Sequence, residues 1–214
     1  MNSILVVGLG RFGRHLAVRC QEEGCEVMAV EISQERADLC VNDIPNIEIA
    51  DMREPEVVKS MGIDNFDVCV VAAGSDFQTA LEITVLLKDH GARQIVARAT
   101  RDVHKKLLLR NGADHVVFSE KDMAERIAMQ ISSNKVFDYF KLDDEIGVYE
   151  IAMPEKWHGK NIIELSVRQK YNVSVLAVKR GDRLYPIVDP TYVLQMEDRL
   201  LIMGDDDQVR RLTR

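Results

Sequence analysis

Short aliphatic and β-branched runs alternate with amphipathic stretches along the first half of the chain, predicting a parallel sheet covered by helices on both faces. Strands are expected at Ile4–Val7, Glu26–Val30, Ile47–Ala50, Val68–Ala72, Gln94–Ala97 and His115–Phe118. Helical spacing marks Arg14–Glu23, Gln34–Val41, Glu54–Met61, Phe77–Lys88, His104–Asn111 and Glu120–Ser132. Asp76 and Ser119 suit N-caps, Ser119 with Asp122 at the capping-box position, and Gly91 and Gly112 follow helix ends. The pattern implies an α/β, doubly wound domain over residues 1–133.

Beyond Ser133 the alternation loses its regularity. Val136-Phe137-Asp138-Tyr139-Phe140 is too apolar to leave in water, so residues 134–144 read as a crossover that packs internally or meets a second copy. Strands are then expected at Gly147–Met153, Val173–Lys179, Leu184–Val188 and Arg199–Met203, around one helix at Ile162–Lys170. Arg180-Gly181-Asp182 fits a hairpin turn, and Pro186 and Pro190 favour edge or loop positions. Residues 145–214 therefore form a second, smaller α/β domain of mostly antiparallel strands.

The first strand carries the most specific chemistry. Ile4-Leu5-Val6-Val7 runs into Gly8-Leu9-Gly10-Arg11-Phe12-Gly13, a G-x-G-x-x-G turn opening a helix, as in Rossmann nucleotide-binding domains. Gly8 permits the sharp turn, Gly10 lets the backbone approach a phosphate, and Gly13 lets helix and strand pack closely. The second strand ends in Glu31, at the offset where an acid accepts hydrogen bonds from ribose hydroxyls and repels a 2′-phosphate. A glycine turn that only packs, with a solvated Glu31, is the competing account.

Composition narrows the class. The chain has 214 residues, 46% of them hydrophobic, enough for one large or two small domains. A net charge of -7 argues against nonspecific nucleic-acid binding. Cys20, Cys25, Cys40 and Cys69 form no metal-type pair and no disulfide pattern, so reduced thiols are expected. The first strand begins at once, without a signal-peptide pattern, and no apolar run reaches membrane-helix length. A cytosolic protein is expected, reaching a membrane only through a partner.

With both halves laid out, the chain resembles the cytosolic RCK (KTN) regulators of bacterial potassium uptake, of the Ktr and Trk type. The likeness rests on Val7–Gly13, Val30-Glu31, Ala50-Asp51, Gly112-Ala113-Asp114 and Ser119-Glu120-Lys121-Asp122-Met123. It continues through Asn161-Ile162-Ile163-Glu164-Leu165, Arg168-Gln169-Lys170-Tyr171 and Asp198–Gly204, nearly end to end and with a single repeat. The resemblance implies a non-enzymatic subunit that binds ATP, ADP or NAD(H) in its N-terminal domain. It further implies homodimers assembled into a ring, an octamer, that gates a membrane potassium transporter.

Arg11 stands inside the glycine loop, where the helix dipole disfavours a cation unless an anion compensates. In similar proteins the matching arginine reaches a γ-phosphate, including that of a neighbouring subunit's nucleotide. Asp51 ends the third strand and fits either an adenine or ribose contact or a helix N-cap. Gly74 follows the fourth strand as a ligand contact and Asp76 as a cap, while Arg98 at the fifth strand end fits a phosphate or a rim salt bridge. Phe12, Met52 and Ala73 complete the expected nucleotide-binding set. Glu120, favourable in a first helical turn by the dipole alone, matches a glutamate that in Ktr-like relatives holds Mg²⁺, Na⁺ or Ca²⁺ between nucleotide phosphates. Ile162, Ile163, Arg168, Asn172 and Pro186 resemble segments lining a cyclic di-AMP pocket in some relatives, although core packing also accounts for the isoleucines.

The competing class is an NAD-dependent oxidoreductase, which needs a catalytic acid or base from the second domain. That domain offers one histidine, His158, in a polar loop, and no catalytic grouping. An ATPase is disfavoured because no G-x-x-x-x-G-K-[ST] loop is present.

Overall fold

The structure, a computed structural model, describes every residue except Met1, Gly74, Ser75, Asp144, Ile187 and Arg214. Contacts divide the chain into two compact units, Met1–Lys121 and Asp122–Arg214.

In the first unit, six parallel strands lie in the order β3-β2-β1-β4-β5-β6. They are β1 (Ser3–Val7), β2 (Glu26–Glu31), β3 (Ile47–Ile49), β4 (Val68–Val71), β5 (Ile95–Arg98) and β6 (His115–Val117). The connecting helices are α1 (Arg11–Glu22), α2 (Gln34–Asp38), α3 (Pro55–Ser60), α4 (Phe77–Asp89) and α5 (Asp102–Arg110), with α6 (Ser119–Ser132) following β6. Successive side chains of a strand point to opposite faces, so β1 supplies two cores. Leu5 and Val7 join Val71, Ile83, Leu87, Ile95 and Leu108 on one face. Ile4 and Val6 join Leu9, Ala17, Val27, Ala29, Ile44 and Val70 on the other. A strand buried on both faces has no polar position to spare, which is why β1 and β4 read as continuous apolar runs.

Helix ends follow local chemistry. Asp76 caps α4 by accepting from the Gln78 and Thr79 amides, and Gly91 and Gly112 take φ of +84° and +115° after α4 and α5. Ser119 is the first residue of α6, and its hydroxyl donates to the Glu120 carboxylate.

The second unit holds a five-stranded antiparallel sheet in the order β10-β9-β11-β8-β7. Its strands are β7 (Val136–Lys141), β8 (Ile146–Ala152), β9 (Val173–Arg180), β10 (Arg183–Tyr185) and β11 (Asp198–Asp205). Two short helices, α7 (Ile162–Leu165) and α8 (Val167–Tyr171), and the terminal α9 (Asp206–Thr213) complete it. Gly181, with φ +58°, turns β9 into β10 as the first residue of a two-residue loop. The core gathers Tyr149, Ile151, Trp157, Leu200, Ile202, Val209 and Leu212. The sequence ends the first domain near Ser133, whereas the contacts divide the chain inside α6, because Met129 packs on this second core. The aromatic segment expected as a crossover is the edge strand β7, with Tyr139 buried and Phe140 exposed. The single helix expected at 162–170 is instead two, broken where Ser166 adopts φ +48°, ψ +49°.

Candidate functional site

Strand order reverses direction at β1, between β2 and β4, and the carboxyl ends of the strands there open a cavity of about 430 Å³. Gly8, Gly10 and Phe12 line it beside Glu31, Asp51, Met52, Ala73 and Arg98, so eight of the expected ligand residues meet at one place. Gly13 is behind the wall, and Arg11 is exposed at the start of α1, outside it. Gly74 lies outside the described residues.

The glycine loop is shaped by its own backbone. Gly8 adopts φ +97°, and its amide donates to the Val30 carbonyl at 2.8 Å. A Cβ on Gly13 would stand 1.9 Å from the Gly8 carbonyl oxygen, so α1 packs against the turn only with glycine there. A Cβ on Gly10 would meet nothing within 4 Å, because that position faces the cavity. No side chain caps α1, leaving its first amides directed at the space where an anion is favoured.

Glu31 organises the other side. Its side chain is 2% exposed, and its Oε2 accepts from the Leu9 amide at 2.7 Å while Oε1 accepts from Ser33 N at 3.0 Å and Arg36 Nη2 at 2.6 Å. Burial alone would raise its pKa, but these hydrogen bonds and the Arg36 charge prevail, and the carboxyl titrates below its ordinary value. Asp51 does not cap α3, whose N-cap is Glu54; it accepts from the Arg53 amide and guanidinium, which holds its carboxyl below the ordinary range. Arg98 pairs with Glu120 and stands 5.9 Å from the Phe12 ring centroid. The Arg98 Nε is buried with no hydrogen-bond partner among the described residues.

These features fit a nucleotide. Open space where Gly10 lacks a Cβ, uncapped helix amides and an orphaned guanidinium nitrogen suit phosphates, and an ionised buried acid suits a ribose. Residues 4–119 match the TrkA-N domain family and residues 148–214 the TrkA-C domain family. The chain belongs to the TrkA-N/TrkA-C family. It is 38% identical over 208 residues to Ktr system potassium uptake protein C of Bacillus subtilis (strain 168), covering 96% of this chain and 93% of that protein. Ktr system potassium uptake protein A of the same organism is 34% identical over 206 residues, again covering 96% and 93%. Among solved structures, the GsuK channel bound to NAD superposes with a TM-score of 0.70 at 16% identity, over 99% of this chain and 38% of that chain. This likeness establishes the fold, and the present chain spans well under half of the channel's length.

Three polar lining residues were not singled out from the sequence. Arg36 and Arg53 line the cavity as partners of Glu31 and Asp51, and Thr79 lines it where its hydroxyl donates to Asp76. An arginine shortly after each strand-end acid was the available signal. Among the described residues no group of three or more His, Cys, Asp and Glu could hold a metal ion, and Glu120 is engaged by Arg98 and Ser119.

In the second unit, Arg168 and Asn172 line a separate cavity of about 500 Å³ with Ile146, Met203 and Asp205. Ile162, Ile163 and Pro186 lie outside its walls, because the break at Ser166 puts the isoleucines on a different helix from Arg168. Asn172 also ends α8 in the left-handed conformation, φ +54°, which Asn tolerates in place of glycine. His158 is exposed after a short 3₁₀ turn. Cys40 and Cys69 are buried and all four cysteines are free, burial pushing the Cys69 thiol up to about 12. No helix among the described residues is long and apolar enough to cross a membrane.

Proposed function

We propose that this chain is the nucleotide-reading regulatory subunit of a Ktr-type potassium uptake system, cytoplasmic and held at the membrane through the transporter it controls. The observation that carries this reading is the cavity at the reversal of strand order, where a glycine loop with open space at Gly10 faces an ionised, buried Glu31. The names of its Ktr relatives supply the potassium-uptake context, and the NAD held by the similarly folded GsuK channel supports a dinucleotide or mononucleotide ligand.

ATP or ADP, with NAD(H) as the alternative, binds with phosphates at the start of α1 and ribose at Glu31. Binding biases gating only through different affinity for two conformations. A tenfold difference per site, about 1.4 kcal/mol, becomes decisive when the copies of a ring move together. Arg11, exposed and outside its own cavity, is assigned to a phosphate held by an adjoining copy. The chain binds and does not catalyse, and no hydride acceptor site is needed.

Titration calorimetry of ATP, ADP and NADH into the purified protein tests this, with Arg11→Ala alongside. Saturable binding, weakened for ATP in the variant, is expected. Equal ATP affinity in both proteins removes the role of Arg11, and steady NADH oxidation with a small substrate replaces the sensor by an enzyme.

A further inference from the structure

Three arginines line the nucleotide cavity, and they differ in what holds them. Arg36 and Arg53 are paired with Glu31 and Asp51, carboxylates of the same wall. Arg98 is paired with Glu120, which is not a wall residue. The two partners are also unequally placed: the Arg98 side chain is 17% exposed and that of Glu120 59%. Water can therefore replace Arg98 around Glu120 at small cost, whereas Arg98 has little water to fall back on. A guanidinium carries five N–H donors, and the Nε of Arg98 is buried without a partner among the described residues, so its present bond to Glu120 leaves that donor unmet. A phosphate can take two guanidinium N–H groups at once with charge assistance, whereas Glu120 takes one, from Arg98 Nη2.

We propose that Glu120 tunes the phosphate affinity of this site by competing with the ligand for the Arg98 guanidinium. The inference rests on the nucleotide reading above and concerns its regulation. Arg98 is the residue that meets the phosphate, and Glu120 is a positioning residue that acts through it. Trading Glu120 for a phosphate oxygen returns a carboxylate to water at the first turn of α6, which gives occupancy of the site a local structural readout.

The test is calorimetric titration of ADP and of adenosine, in EDTA, into wild type, Glu120→Gln, Arg98→Ala, Arg98→Lys and the Arg98→Ala/Glu120→Gln double variant. Circular dichroism confirms folding, and Arg98→Lys carries the comparison if the alanine variant does not fold. Glu120→Gln should tighten ADP about two- to fivefold, the range that the strength of an exposed ion pair allows, and leave adenosine unchanged. In the Arg98→Ala background the same substitution should add nothing. Unchanged or weaker ADP binding by Glu120→Gln overturns the proposal. So does a tightening that persists without Arg98, since it would report only the loss of a nearby negative charge. If folded wild type binds neither ADP, ATP nor NADH, the nucleotide reading itself fails.

Discussion

The Glu31 carboxylate accepts the Leu9 amide at 2.7 Å, so the acid at the end of β2 is tied directly to the glycine loop at the end of β1. The same carboxylate accepts from Ser33 and Arg36, which leaves a single lone-pair direction of its usual four for a ligand hydroxyl. Glu31 thus shapes the loop as well as lining the cavity.

Replacing Glu31 by Gln should cost about 1.5–3 kcal/mol at pH 7, the range for hydrogen bonds to a charged group. The carboxyl titrates below its ordinary value, so its contribution is present above that value and lost as pH falls through the folded one. Urea unfolding at pH 7 and at pH 3 should show the wild-type advantage shrinking in acid.

Asp138 gives the clearest acid-sensitive contact of the second unit. It accepts from Arg126 Nε at 2.8 Å and Nη2 at 2.7 Å, from Gln130 at 2.9 Å and from the Tyr139 amide at 2.8 Å. The Arg126 hydrogen bonds chiefly lower its pKa, from 3.8 to about 2. Both partners are about two-fifths exposed, so screening limits the contribution to about 1 kcal/mol. Asp138→Asn should lose that amount at pH 7, less in 1 M salt, and progressively less as pH falls from about 4 through about 2, because a depressed carboxyl contributes fully above its unfolded value and is silenced only as it protonates in the folded protein.

The parallel sheet was legible because strands buried on both faces must be apolar throughout, and Glu31 because one offset from the glycine loop defines its place. Arg36 and Arg53 were only partly so: an arginine follows each strand-end acid in the sequence, but which side chain neutralises the acid depends on loop paths that spacing does not encode. The break at Ser166 was hidden for a different reason: a non-glycine residue adopts the left-handed conformation there, against its intrinsic preference. The terminal helix α9 shows few apolar positions amid charges, with only Val209 and Leu212 buried, and so left too short a pattern to read.

Trp157, the one tryptophan in the chain, is fully buried, 5.1 Å from the Tyr171 ring, and its Nε1 has no hydrogen-bond partner among the described residues. Trp157→Ala should cost about 3–5 kcal/mol as a cavity. Trp157→Phe removes an unsatisfied donor along with part of the volume, and the opposing effects should leave a cost below about 1.5 kcal/mol. Urea unfolding followed by far-ultraviolet circular dichroism separates the two; equal losses would mean that the indole N–H is satisfied.

Two glycines of one loop should respond oppositely to the same methyl group. Gly13→Ala forces a Cβ to 1.9 Å from the Gly8 carbonyl oxygen and 3.0 Å from the Ala72 Cβ, so α1 must move off the sheet. A loss of at least about 2 kcal/mol is expected from such overpacking. Gly10→Ala meets no atom within 4 Å, and its φ of −65° with ψ of −178° suits any residue. Its stability should stay within about 0.5 kcal/mol of wild type. The added methyl then occupies the approach to the α1 amides, and ADP affinity should fall at least about tenfold, the equivalent of 1.4 kcal/mol. Thermal unfolding with ADP titration on both variants distinguishes the two roles. A Gly10→Ala protein that binds ADP as wild type does would remove the phosphates from the loop, whatever the stability of Gly13→Ala.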